Sequence, residues 1–299
     1  MVNFNLTAFP LIYAHRVTSA FFFLLTYFIS LSGNLLIILL ILKSPFLQTP
    51  MYFFLINLSF LEMMFTTTLI PKLFAILAFE NHTISLNGCL TQCYFYFFLG
   101  SVELLLLAVM SFDRYIAICY PLRYATIMST GLCLKLAIGC WIGGFVLTIV
   151  QTILVCKIKF CQSNLIDHFF CDIEPLLKLA CSDTKFIQFV NMLSSSVVVF
   201  GSITCIIISY SQIIIAIRSI STITNRWKSF STCASHLILI FIVYGSSLFL
   251  CMRTVTTNFI DFSKLSALLT GIVTPLLNPF IYTLRNHQVK KALKQLLCA

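Results

Sequence analysis

Charged residues are scarce in this sequence. Only 9% of its 299 residues are Asp, Glu, Lys or Arg, against about 25% in an ordinary soluble domain, which excludes a water-soluble globular fold. Disorder is excluded as well, because 30 Phe, 11 Tyr and long Leu/Ile runs would collapse in water. A glycine-rich phosphate loop is missing, and so is any nucleophile, base and orienter set on one side of the apolar runs, so no enzyme is expected. No His/Cys spacing resembles a zinc site. What remains is 60% apolar with a mean hydropathy of +1.00, a chain whose solvent is lipid.

Acids are scarcer than bases. Nine Asp and Glu stand against 19 Lys and Arg, a formal net charge of +10, which in a soluble chain would point to a nucleic-acid partner. The basic residues, however, sit in short gaps between apolar runs, at Lys43, Arg123, Lys135, Arg218, Arg226, Lys228, Arg285, Lys290, Lys291 and Lys294 among others. That placement marks cytoplasmic loops, and no nucleic-acid partner is expected.

Apolar stretches long enough to cross about 30 Å of hydrocarbon as helix fall at 18–42, 51–78, 86–119, 132–155, 187–217, 230–252 and 265–284. They must be helical, because lipid offers no partner to a free backbone amide or carbonyl. The expected fold is an all-α membrane protein, a seven-transmembrane helix bundle making a single domain over 1–299. The first run is too long and wrongly flanked for a cleaved signal peptide. Seven crossings put residues 1–17 and the tail 285–299 on opposite sides. With the N-terminus outside, the inner segments hold eleven Lys and Arg and one acid, Asp113, while the outer ones hold eight bases and six acids. The tripeptides Asn5-Leu6-Thr7 and Asn81-His82-Thr83 match the glycan acceptor pattern and fall on the outer side, with Asn5 the better placed. Asn57-Leu58-Ser59, inside the second span, shows that the pattern also arises by chance.

Of 13 cysteines, nine lie in or beside apolar helices, where a thiol is a small buried hydrophobe. The other four are Cys89, which opens the third span, and Cys161, Cys171 and Cys181, in the outer loop after the fourth. They face an oxidising compartment where bridges persist, and a bridge from that loop to the third helix would fix a lid over the bundle mouth.

Several motifs then occur in a fixed order. Gly33-Asn34 lies in span one and Pro50-Met51-Tyr52-Phe53-Phe54-Leu55 opens span two. Met110-Ser111-Phe112-Asp113-Arg114-Tyr115-Ile116-Ala117-Ile118-Cys119 ends span three, and Ser209-Tyr210 lies low in span five. Lys228-Ser229-Phe230-Ser231-Thr232-Cys233-Ala234-Ser235-His236 begins span six, and Pro275-Leu276-Leu277-Asn278-Pro279-Phe280-Ile281-Tyr282-Thr283-Leu284-Arg285-Asn286 ends span seven. From about Phe21 to Leu297 the chain resembles the olfactory receptors, a branch of the rhodopsin-like G-protein-coupled receptors. Phe112 and Trp227 depart from the usual Tyr and Lys of that pattern.

The resemblance implies an odorant receptor of the plasma membrane. It would bind small, mostly neutral volatile ligands in the outer half of the bundle, and activate a stimulatory, olfactory-type G protein with help from receptor chaperones in delivery. It implies bridges Cys89–Cys171 and Cys161–Cys181, and a ligand cavity faced by Tyr96, Phe97, Gly100, Ser101, Ser194, Val198, Tyr244, Ser247, Cys251 and Leu268. Apolar walls with a few hydroxyls suit small neutral molecules. Tyr96 stands where amine receptors of this class carry an aspartate, and span seven has no mid-membrane lysine for a retinal Schiff base. The same resemblance assigns coupling and switching to Asp113, Arg114, Tyr115, Tyr210, Lys228, His236, Asn278, Pro279 and Tyr282.

Each assignment also has a physical reading. Asp113 and Arg114 are adjacent charges at an inner helix end, expected to pair at rest because leaving both unpaired is expensive. Pro279 breaks the hydrogen-bond ladder of span seven and makes a hinge. Glu62 and Glu103 are the only carboxylates deep in the apolar core, and the resemblance places them with Asn34 and Asn278 around a sodium ion. Two nearby carboxylates could equally share one proton. Apart from that ion, no cofactor is expected. Residues 286–297 read as an amphipathic helix whose Lys290, Lys291 and Lys294 suit anionic lipid headgroups. The alternatives are a small-solute transporter or channel, for which no inverted repeat is visible, or the same receptor type serving as a chemosensor outside the olfactory epithelium.

Overall fold

The computed structural model describes residues 3–7, 13–161, 164–219, 223–252, 260–285 and 287–297. Side chains are described at all of these except 223–232, 235, 249–252, 260–262, 282–285, 287 and 296–297. The helices are α1 (Arg16–Lys43), α2 (Pro50–Phe79), α3 (Leu86–Cys119), α4 (Thr130–Cys156), α5 (Lys185–Ser219) and α6 (Ile223–Met252). A broken α7 follows, with segments Ile260–Leu268, Leu269–Val273 and Thr274–Arg285, and then α8 (His287–Leu297). At about 1.5 Å per residue the long helices outreach the hydrocarbon by a turn or more at each end. For that reason α6 begins at Ile223 rather than 230, and α7 at Ile260 rather than 265: hydropathy locates the lipid-embedded middle, not the polar turns beyond it.

Among the described residues, six helices are long and apolar enough to cross a membrane, and α6 contributes the shorter apolar stretch His236–Leu248. The protein is a multi-pass membrane protein with a seven-helix bundle. Its outer skin is apolar, with Phe21 69%, Phe22 57%, Ile207 59% and Phe241 82% exposed, as lipid-facing residues must be. Polar groups are turned inward instead, where Asn34, Glu62, Thr66, Glu103 and Asn278 are buried. Helix α3 is the most enclosed and touches α2, α4, α5 and α6, whereas α4 lies at the periphery. Close approach there depends on Gly144, since a Cβ at that position would stand 2.6 Å from Val102 Cγ2 and 3.3 Å from the Phe98 carbonyl. Small residues at helix crossings are the usual means of packing in lipid.

Helix ends follow local chemistry. Proline opens α2 at Pro50, and the Ser85 and Ser129 hydroxyls cap α3 and α4 by accepting from the amides of Gly88 and Leu132. In α7 the segment Leu269–Val273 is π-helical. Pro275 has no amide to donate to the carbonyl four residues back, and the Thr274 hydroxyl bonds the Leu269 carbonyl at 2.9 Å.

The outer face holds structure that hydropathy does not announce. Three short strands, β1 (Asn3–Leu6), β2 (Thr83–Ser85) and β3 (Leu165–Ile166), form a sheet in the order β2-β1-β3. The first strand runs antiparallel to β2, with Phe4 opposite Ile84, and parallel to β3, with Asn5 opposite Leu165. Phe4 and Leu6 are fully buried in a second small core with Ile76, Cys89, Cys171 and Ile173, while Asn5 points to solvent. Disulfides join Cys89 to Cys171 and Cys161 to Cys181, with Cα separations of 5.2 and 5.3 Å. The outer loop is thereby tied across the bundle mouth.

Candidate functional site

Beneath that lid lies a cavity of about 120 Å³ between α3, α5, α6 and α7. Tyr96, Phe97, Gly100 and Ser101 line it from α3, Val198 from α5 and Ser247 from α6, together with Phe65, Leu104, Val199, Ser246, Ser266 and Thr270. Tyr96 sits in an aromatic cluster, 4.4 Å centroid to centroid from Phe170 of the lid and 5.3 Å from Phe65.

Three of the expected ligand residues are elsewhere. Ser194 bonds its own helix at the Val190 carbonyl, and the cavity is faced instead by the neighbouring α5 positions Asn191, Ser195 and Ser196. Tyr244 is buried and donates its hydroxyl to the Leu104 carbonyl at 3.0 Å, fastening α6 to α3. Leu268 packs against the main core. Cys251 lies outside the described side chains. The additions are as instructive: Asp172 and Glu174 of the outer loop, and Glu103 of α3, all line the cavity. The spacing of 96, 100 and 103 is one helical face, and the bridge at Cys171 brings the next residues of the loop to the cavity mouth.

The lid is braced by polar contacts. Gln92 donates to the Thr68 carbonyl at 2.9 Å and accepts from the Cys171 amide at 3.0 Å, linking α2, α3 and the loop. Asp167 Oδ1 accepts from Lys264 Nζ at 2.7 Å and from the Thr7 hydroxyl at 2.9 Å, joining loop, α7 and N-terminal segment. The Lys264 hydrogen bond holds the Asp167 carboxyl below the usual aspartate range, against an opposing effect of partial burial.

Below the cavity, the four residues expected around an ion are all buried. Asn278 donates to Glu62 Oε1, and Glu103 lies within electrostatic reach of Glu62. Asn34 donates to the Ser30 carbonyl at 3.0 Å and to the Pro275 carbonyl at 3.1 Å. The second bond has a local cause: the Pro275 carbonyl is the one that Pro279, lacking an amide, leaves open one turn later. Gly33 makes room, since a Cβ there would stand 3.0 Å from the Pro279 ring. Asn34 Oδ1, Glu62 Oε2, Glu103 Oε1 and Asn278 Oδ1 are buried oxygens with no hydrogen-bond partner. Among the described residues no group of three or more His, Cys, Asp or Glu could hold a metal. Two carboxylates and two amides are hard oxygen donors that suit a monovalent cation.

At the inner end the expected Asp113–Arg114 pair is not formed. Asp113 is fully buried and accepts from the Tyr124 hydroxyl at 2.8 Å, while the Arg114 charge, without a direct ion pair to Asp113, acts electrostatically on Asp113 and on Cys233 and His236 of α6. Adjacent helix positions point about 100° apart, so neighbours in sequence pair poorly. Burial, and then the adjacent Asp113, push the Tyr124 phenol well above its ordinary value. Tyr210 of α5 and His236 of α6 share a hydrogen bond of 2.8 Å, and Tyr115 bonds Tyr120 at the surface. Lys228 and Tyr282 lie outside the described side chains.

Comparison with known proteins agrees with this geometry. Residues 23–299 match the family model described as olfactory receptor. The chain belongs to the olfactory receptor family. It is 47% identical to Olfactory receptor 6S1 of Homo sapiens over 295 residues, covering 98% of this chain and 89% of that protein. It is 47% identical to Olfactory receptor 287 of Rattus norvegicus, covering 98% and 94%. A crystal structure of squid rhodopsin superposes with a TM-score of 0.70 at 16% identity, over 97% of this chain and 89% of that one, a likeness of fold. The protein is therefore an odorant receptor of G-protein-coupled type and not an enzyme.

Proposed function

We propose that this olfactory receptor binds its ligand in the lidded cavity through Tyr96, Phe97, Gly100, Ser101, Val198 and Ser247, and signals through a stimulatory G protein on the opposite face. One observation carries the reading. Glu103 forms part of the cavity wall and, through Glu62 and Asn278, adjoins Pro279 inside α7. An occupant touching Glu103 has differential contacts with two arrangements of that layer, and differential affinity is all that a population shift needs. At the inner end the Asp113–Tyr124 and Tyr210–His236 bonds would have to yield, releasing Arg114 toward the G protein, with Lys228, Tyr115 and Tyr282 on the docking side.

A sodium ion fits the layer of Asn34, Glu62, Glu103 and Asn278, whose four unpartnered oxygens support it. Bound there, the ion would neutralise the paired carboxylates and favour the resting arrangement. The receptor resides in the plasma membrane with its N-terminus outside, carries a glycan at the exposed Asn5, and reaches the surface with receptor chaperones. Helix α8, with Lys290, Lys291 and Lys294, lies on anionic lipid.

The test is a cAMP reporter screen of volatile compounds in cells supplying receptor chaperones, repeated with Gly100→Leu, whose added side chain would occupy the cavity. Expected is a concentration-dependent response that the substitution abolishes at equal surface expression. A response that persists in Gly100→Leu places the ligand elsewhere.

A further inference from the structure

Three hydroxyls of the cavity wall already have their hydrogen engaged within their own helices. Ser246 donates to the carbonyl of Ile242 or Val243, at 2.8 and 2.9 Å, and Ser247 to the Val243 carbonyl at 2.7 Å. Thr270 of α7 donates to the Ser266 carbonyl at 2.9 Å, and all three residues line the cavity. A hydroxyl has one hydrogen and two lone pairs, so what remains at each is an oxygen that can only accept. Asn191 adds a fourth acceptor, and an unsatisfied one. It lines the cavity from α5, and its side-chain Oδ1 is buried with no hydrogen-bond partner among the described residues. It is separate from the oxygens offered to an ion, which come from α1, α2, α3 and α7. Leaving a buried amide oxygen without a donor is expensive, and an occupant that brings the donor removes the penalty.

We propose that the ligand's polar head is an uncharged hydrogen-bond donor, an alcohol hydroxyl that donates to Asn191 Oδ1, with its hydrocarbon tail against Tyr96, Phe97 and Val198. This rests on the odorant-receptor reading of the same cavity and names the ligand class within it. A hydroxyl brings the hydrogen that the amide oxygen lacks. An ether, ketone or ester offers acceptors only and leaves Oδ1 as it was. A protonated amine would surrender the hydration of a full charge to reach an uncharged amide. Transfer from water alone predicts the opposite order for the first pair, because an alcohol gives up more hydration than an ether of equal size. A preference for the alcohol therefore reports the hydrogen bond, as in sites that reject an analogue lacking the hydroxyl they bind.

The experiment is ligand-induced thermal stabilisation of the purified full-length receptor at neutral pH. The probes are 1-hexanol beside methyl pentyl ether, 1-octanol beside heptyl methyl ether, and the hydrochlorides of hexylamine and octylamine. At least one alcohol is expected to half-saturate at a concentration at least about tenfold below its isomeric ether, and the matching amine to bind no more tightly than the alcohol. In Asn191→Leu the gap narrows to about threefold or less through weaker alcohol binding, with the ether held within about twofold. Retained ether binding shows that the variant is folded. Asn191→Ala, which opens space where leucine fills it, narrows the gap in the same way and answers the question if the leucine variant does not fold. Ethers binding as well as their alcohols, an amine binding more tightly, no alcohol stabilising the receptor, or a gap unchanged by substitution of Asn191 overturns the proposal. Alcohol binding without any ligand-driven nucleotide exchange on a G protein would instead overturn the receptor reading and leave the ligand class standing.

Discussion

Replacing Gly144 by Ala tests the helix packing on which the cavity depends. The added Cβ would lie 2.6 Å from Val102 Cγ2 and 3.3 Å from both the Phe98 carbonyl oxygen and the Val102 amide nitrogen of α3. Carbon atoms in contact prefer about 3.5–4.0 Å, so a displacement of about 1 Å is required. Val102 is fully buried and cannot turn aside, and the other two atoms are helix backbone, so α4 itself has to move. Overpacking of this kind costs about 1–3 kcal/mol, and the better helix propensity of alanine returns about 0.5–1 kcal/mol. The net loss of about 1–2 kcal/mol corresponds to a fall in Tm of about 2–8 °C. The assay is thermal unfolding of the purified receptor, with Gly139→Ala beside it. A Cβ at Gly139 meets nothing within 4 Å, so that variant keeps only the propensity gain and should melt at or above the native protein. If Gly144→Ala melts as high as Gly139→Ala, the close crossing of α3 and α4 is refuted.

Three further outcomes are expected. Because the folded-state carboxyl of Asp167 is held below its ordinary value, its contribution to lid stability is present above the unfolded aspartate pKa and is lost as pH falls through the lowered folded one. The protection factors of the outer-loop amides, corrected for the intrinsic exchange rate at each pH, should therefore fall in acid, and Asp167→Asn should remove that fall. Tyr124→Phe withdraws the hydroxyl that donates to the buried Asp113 and should lower stability by about 1–3 kcal/mol, with less than additive loss on adding Asp113→Asn in a double-mutant cycle. Sodium in place of choline should raise the melting temperature of the native receptor, and the double substitution Glu62→Gln with Glu103→Gln should abolish the difference.

The bundle was legible in the sequence because lipid imposes it: about 20 apolar residues per crossing is a coarse signal that composition cannot hide. The sheet β2-β1-β3 was not, since strands of two to four residues fall below any periodicity window, although the alternation Asn3-Phe4-Asn5-Leu6, with Phe4 and Leu6 inward, is a trace of it. That Glu62 and Glu103 are turned inward could be anticipated because carboxylates are costly in lipid, whereas their grouping with Asn34 and Asn278 is what the resemblance implies. Cavity residues were harder. Resemblance fixes a helical face only to within about one position, so it points to Ser194 where Ser195 and Ser196 face inward, and to Tyr244, which braces α6 against α3. Asp172 and Glu174 escaped notice because a loop's position is set by its disulfide and not by its own pattern. The partner of Asp113 escaped because the turn Pro121–Arg123 folds Tyr124 back onto α3, a tertiary arrangement that adjacency of Asp113 and Arg114 conceals.

The account's central claim is that the outer cavity and the inner face are energetically linked, and linkage is reciprocal. The most direct measurement is agonist affinity of the reconstituted receptor with and without nucleotide-free G protein, in the native chain and in Asn278→Ala. The prediction is that the G protein tightens agonist binding about tenfold or more in the native receptor, and that Asn278→Ala shrinks that factor while leaving affinity without G protein within about twofold. Equal affinity with and without the G protein would contradict it.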